Sequence, residues 1–174
     1  GGFVMKKDTK DLIEELKDYS DFKSFYESNS ENIEEISLSE YLQNLIESKK
    51  LNKSEIVEKS EMSEVYAYQI ISGIRKKPQR NKVLCLAFGM GLELEEVQNL
   101  LKKTGYPILY AKNPFDCVVI YALYKKMSVI EVNELLYEYN QETLGWTIVK
   151  TMYALNAELF CRKMPRFACT VWRR

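Results

Sequence analysis

Hydrophobic residues recur every three to four positions along most of the chain, and turn-forming residues cut the pattern into short lengths. That period is the signature of amphipathic helices. Between Lys6 and about Ser28, the residues Leu12, Ile13, Leu16, Tyr19, Phe22, Phe25 and Tyr26 keep helical spacing. They predict one or two helices that end in a polar break from Ser28 to Glu31. The next helix has a marked start. Ser37 with Glu40 has the capping-box pattern, Ile36 with Tyr41 fits the accompanying hydrophobic staple, and Leu42, Leu45 and Ile46 supply the inward face.

Asn52 and Glu55 give a similar start to a short helix from Lys53 to about Ser60. Glu61-Met62-Ser63 is then a break, and Ser63 caps a helix from Glu64 to Ser72. Gly73 stops it, as a residue at ease with positive φ should. Beyond Pro78 the pattern predicts a helix from about Asn81 to Met90, a break at Gly91, and another from about Glu93 to Lys103.

Sliding the sequence by 35 positions reveals an internal repeat. Asn81–Gly105 aligns with Asp116–Asn140, so that Val83, Ala87, Glu96, Val97, Leu100 and Leu101 meet identical residues at Val118, Ala122, Glu131, Val132, Leu135 and Leu136. Asn81 and Asp116 are matched as N-caps, and Ser128 with Glu131 forms a capping box where the first copy has only Glu93. Two helical hairpins stacked side by side account for the match, since each alone exposes an apolar face. Chance likeness between two amphipathic hairpins is the alternative. Thr143 to Phe160 keeps helical spacing through Leu144, Ile148, Met152, Leu155 and Leu159, and Pro165 ends it. Arg166 to Arg174 reads as an extended basic and aromatic tail.

Composition narrows the choices. Seven glycines and four prolines are too few for a strand-rich or loop-rich chain, so the expected fold is all-α. The absence of histidine removes the usual general base and the commonest metal ligand. No glycine-rich phosphate loop or nucleophile elbow is present either, and no catalytic residue, metal or cofactor is expected. The four cysteines (Cys85, Cys117, Cys161, Cys169) lack metal-type spacing and read as reduced, mostly buried thiols of a cytoplasmic protein. No stretch reaches the roughly 20 apolar residues that span a bilayer. Gly1 to Val4, ahead of Met5, resembles a non-native extension.

The formal net charge is zero, so its distribution carries the information. The first 50 residues hold seven basic and twelve acidic side chains. Val65 to Lys82 holds five basic residues and no acid, and Gln141 to Arg174 six basic against two acidic. A basic footprint on an acidic body directs a polyanion to one face.

The segment from Leu51 to Glu96 carries a composite pattern: Ile56-Val57 on a short helix, a turn, Ala67 and Ile70 on a second helix, Gly73, the basic Arg75-Lys76-Lys77-Pro78, Leu84, Leu86-Ala87, and the Gly91-Leu92 break. With the Ser37 helix it covers some 65 residues. It resembles the lambda-repressor-like, or XRE-type, helix-turn-helix family of DNA-binding domains. The resemblance implies a five-helix domain over residues 37–104. The hydrophobic pattern and the repeat add an N-terminal helical arm over 1–36, a second hairpin over 105–140, and a C-terminal helix and tail over 141–174. Spacing places Ile56, Ala67 and Ile70 inward and leaves Glu64, Val65, Tyr68 and Gln69 on the opposite face of the helix from Glu64. The resemblance implies that this is the recognition helix, with Glu64, Val65 and Gln69 at base-contacting positions and Tyr68 beside them. Lys53, Ser63, Arg75, Lys76, Lys77 and Arg80 then fall at phosphate-contacting positions. Tyr66 and Tyr68 serve either packing or groove contact.

Two departures stand out. The family's usual small and large residues are exchanged at Val57 and Ala67, which conserves volume across one contact. Its turn glycine is Glu61 here, at a cost on the order of 1 kcal/mol if φ is positive. The expected partner is double-stranded DNA, bound by a homodimeric repressor-type regulator with no membrane association. The alternative is a protein-interaction adaptor that keeps the fold without binding DNA, favoured by Glu61, Glu64 and the acidic first 50 residues.

Overall fold

A computed structural model describes residue 7, residues 9–33 and residues 36–145. Every regular element among them is a helix, nine in all, and none is long and apolar enough to cross a membrane. The chain divides into two compact units between Ile36 and Ser37.

The first unit contains α1 (Thr9–Asp18) and α2 (Phe22–Ile33). The polar break expected from Ser28 to Glu31 is not there; α2 runs through it. Asn29 is buried, donates to the Phe25 carbonyl at 3.2 Å and accepts from Lys7 Nζ at 3.1 Å, so a residue that reads as a breaker is held inside the helix. The chain turns at residues 19–21 instead. There the Asp21 carboxylate accepts the Ser24 N–H at 2.9 Å, a donor that a helix start leaves orphaned, and also the Ser24 hydroxyl at 2.7 Å. Phe25 is the buried aromatic among the described residues of this unit, with the Tyr19 ring edge-on to it at 5.4 Å.

The second unit begins with α3 (Leu38–Ser48), α4 (Lys53–Lys59) and α5 (Glu64–Ile71). Their starts follow the local chemistry. Ser37 Oγ accepts the Glu40 N–H and Asn52 Oδ1 the Ser54 N–H, while Glu55 pairs with Lys59 instead of turning back to the cap. Glu61, between α4 and α5, does adopt positive φ, at 53°. Val57 and Ala67 are both buried, so the exchanged small and large residues are accommodated. α3 packs on α5, and α4 on α5 and α6.

The helices α6 (Arg80–Gly89) and α7 (Leu94–Lys103) form one hairpin, and α8 (Pro114–Lys125) and α9 (Val129–Glu138) another. α4 approaches α6 so closely that a Cβ on Gly89 would lie 2.5 Å from the Ile56 carbonyl oxygen, a separation only glycine permits. The expected N-caps of the hairpins are corrected. Gln79 and Asn113 hold those positions, while Asn81 and Asp116 sit in the first turns and bond elsewhere.

The 35-residue offset is visible in the backbone. α7 and α9 begin and end at matched positions. Gly91 and Lys126 are matched and both have positive φ (63° and 54°), as are Gly105 and Asn140 (77° and 55°). Glu96 accepts the Glu93 N–H at 2.8 Å, and its counterpart Glu131 accepts the Ser128 N–H at 2.7 Å. The hairpins pack against each other through α7 with α8 and α6 with α9.

After each hairpin an extended strap folds back. Residues 106–110 bury Leu109, whose N–H and carbonyl both bond the Gln98 amide at 2.8 Å. Residues 141–145 bury Leu144, whose N–H bonds Asn133 Oδ1 at 2.8 Å and whose carbonyl accepts from Lys82 Nζ at 3.2 Å. Thr143 and Leu144 therefore belong to a strap and not to the start of the expected C-terminal helix. The remainder of that expected helix, the basic tail and Gly1 to Val4 lie outside the described residues.

Candidate nucleic-acid interface

The short helix α5 has two contrasting faces. Ala67, Ile70 and Ile71 are buried and fix it to the core of the second unit. Glu64, Val65 and Tyr68 are exposed, Val65 at 70% of its surface, and Gln69 is half-buried beside them. The spacing expected of an outward face is therefore present. Ser63 occupies the N-cap position and its carbonyl accepts the Ala67 N–H at 3.0 Å, but its exposed hydroxyl makes no capping bond. Lys53 opens α4 and is exposed.

The chain leaves α5 through a left-handed Gly73, whose φ is +82° and where a Cβ would meet Ser39 Oγ at 2.7 Å. The positive φ favours glycine, and any side chain here would also have to displace the Ser39 hydroxyl. The basic loop that follows is pinned on either side of Lys76 and Lys77. The Arg75 N–H bonds the Gln69 carbonyl at 2.9 Å, and the carbonyl of buried Pro78 accepts the Tyr106 hydroxyl at 2.7 Å. Lys76 and Lys77 are exposed. The Arg75 guanidinium lies over the half-buried Tyr66 ring, 4.7 Å from its centre. Burial pushes the Tyr106 phenol above its usual range, with Tyr66 adding to the shift.

Arg80 does not belong with this set. Its guanidinium binds both Asp116 carboxylate oxygens, at 2.7 and 3.2 Å, and the carbonyls of Pro107 and Ile108 at 2.8 and 3.1 Å. With Arg80 and Asp116 side chains only 20% and 8% exposed, the pair is a tie between α6, the first strap and α8. Position in the sequence beside Arg75 to Lys77 suggested a phosphate contact; the partner that claims the side chain stands 36 residues away. Lys82, counted in the same basic run, likewise turns to the Leu144 carbonyl.

The exposed cations expected at phosphate thus reduce to Lys53 on α4 and Arg75, Lys76 and Lys77 after α5, while the acidic Glu61 and Glu64 lie at the N-terminal end of α5. Tyr106 is the residue that sequence reasoning missed. It stands beyond the boundary expected at residue 104, and no periodicity marks it.

The cysteines also depart in part from expectation. Cys85 is buried, and burial pushes its thiol up to about 11, whereas Cys117 is exposed. Cys161 and Cys169 lie outside the described residues. Among the described residues no three of Cys, Asp and Glu gather as metal ligands. Comparison with protein-family models, with curated proteins and with solved structures gives no match to this chain.

Proposed function

We propose that the chain binds double-stranded DNA in a sequence-specific manner, as a repressor-type regulator whose α3 to α7 form a five-helix helix-turn-helix domain. The observation that carries this reading is the outer face of α5, exposed, with the exposed cations Arg75 to Lys77 following its C-terminal end. An α-helix about 10–12 Å across fits a major groove about 12 Å wide, provided that it stands clear of its core. Cations beyond the end of the helix then meet phosphate and set register, while the exposed face meets base edges. Val65 offers a surface to a thymine methyl group, Gln69 pairs with adenine, and Glu64 accepts from a cytosine amino group. Two such domains, related by a two-fold axis, would place their α5 helices about 34 Å apart on successive grooves. The chain is proposed to act as a homodimer on this ground.

Selection of bound duplexes from a random pool, followed by two variants, tests the reading. Arg75, Lys76 and Lys77 changed together to alanine should weaken binding to every duplex and flatten the salt dependence by about one phosphate per lost contact. Gln69→Ala should relax base preference with the salt slope nearly intact. Recovery of no duplex, or a triple variant that binds as tightly as the parent, defeats the proposal.

Glu61 and Glu64 favour a second reading, a protein-interaction adaptor. Both are exposed at the end of α5 where a phosphate would approach, and carboxylates repel it. Heparin chromatography separates the two: a DNA binder is retained at moderate salt, and an acidic adaptor flows through.

A further inference from the structure

We infer that Tyr66 is a positioning residue that seats Arg75 for phosphate, an inference that rests on the DNA-binding reading above. The guanidinium carbon lies over the ring, 4.7 Å from the centroid. A cation held over a ring keeps its N–H donors for another acceptor, because the ring takes none of them as a conventional hydrogen bond. No hydrogen bond or ion pair engages those groups among the described residues, although the Arg75 backbone N–H is fixed to Gln69. The ring itself is held, because Tyr66 is half-buried against the core of the second unit.

The contrast with the neighbouring cations sharpens the role. Lys76 and Lys77 are exposed and have no ring beneath them among the described residues, and an unrestrained long side chain loses rotamer freedom when it binds. Arg75 has part of that ordering done in the free protein. Preorganisation of this kind strengthens binding without adding a contact. Tyr66 needs no contact with DNA to do it, which resolves whether it packs or binds: it packs, and acts through its neighbour.

The test is a double-mutant cycle on a fluorescent random-sequence duplex of about 30 base pairs, or about three turns of DNA. Tyr66→Leu keeps apolar bulk and removes the ring; it should weaken binding about two- to fivefold, the span expected of an exposed cation–π contact. Tyr66→Phe keeps the ring and should match the parent. In an Arg75→Ala background, Tyr66→Leu should have no further effect. Arg75→Lys, at an exposed position that leaves folding intact, should show the same two- to fivefold loss with the salt slope preserved. In the free protein, the ring-current shift on the Arg75 side-chain protons should vanish in Tyr66→Leu.

Equal weakening by Tyr66→Leu with and without Arg75 would reduce Tyr66 to ordinary packing and overturn the inference. Absence of the ring-current shift in the parent overturns it as well, whatever binds. A parent protein that binds no duplex at low salt removes the DNA-binding reading itself, which is a different result from duplex binding without coupling.

Discussion

Leu109 and Leu144 stand 35 residues apart and occupy the same place in successive hairpins. Each is buried as the fourth residue of a five-residue strap, and each has its N–H held at 2.8 Å by a side-chain amide, Gln98 in one case and Asn133 in the other. Gln98 and Asn133 are themselves 35 residues apart. The repeat thus extends past the helices into the connections that close them.

This arrangement gives a stability prediction. Asn133 is only 3% exposed, so Asn133→Ala strands a buried Leu144 N–H at a cost of about 1–3 kcal/mol. Leu144→Ala should cost about 2–5 kcal/mol through lost burial and a cavity. Both variants should accelerate amide exchange at Leu144. Denaturant unfolding that shows either variant as stable as the parent would mean that the second strap is not anchored in solution.

Two nearby glycines should respond in different degree to the same substitution. Gly91 has φ of +63° and open space where a Cβ would go, so Gly91→Ala isolates the conformational cost, about 1–2 kcal/mol. Gly89 is helical, and alanine is there the better helix former by about 1 kcal/mol. Even so, Gly89→Ala drives a Cβ to 2.5 Å from the Ile56 carbonyl and must move α4 from α6. It should be the more destabilising of the two. A thermal scan in which Gly89→Ala melts above Gly91→Ala contradicts the close approach.

The Cys85 thiol predicts an alkaline transition. Burial raises it from 9.0 to about 11, so between those values the unfolded chain loses a proton that the folded chain keeps. The unfolded state then binds fewer protons, and stability falls as pH rises through that window, by on the order of 2 kcal/mol at its end. Below pH 9 the contribution is constant. Tyr41 and Tyr106, also raised by burial, add to the loss above pH 10. Unfolding free energies from pH 8 to 11 should therefore decline less steeply in Cys85→Ala than in the parent. Identical slopes would place that thiol in water.

The helices of the second unit were legible because their boundaries are written locally. Ser37, Asn52 and Ser128 accept helix-start N–H groups, and Gly73 and Gly91 take positive φ where the pattern stops. The same rules misjudged Ser28 to Glu31, because Asn29 finds its partners in Lys7 and Phe25. The outward face of α5 followed from spacing alone. What spacing missed was long-range pairing: Arg80 with Asp116, Tyr106 with Pro78, and the straps with Gln98 and Asn133. A charged side chain in a basic run reads as solvent-facing until the carboxylate that meets it from 36 positions away is known.

Matched positions in the two hairpins share a backbone path more faithfully than they share surroundings. Leu86 is wholly buried and its counterpart Tyr121 is half in solvent; Gly89 is pressed beneath α4, and its counterpart Tyr124 is 67% exposed. The turn geometry carries the shape by itself, and one template builds an interior partition in its first use and an outer wall in its second. A chain made this way gains a new exterior whenever the template is copied, and that exterior is free to change its chemistry without disturbing the partition behind it.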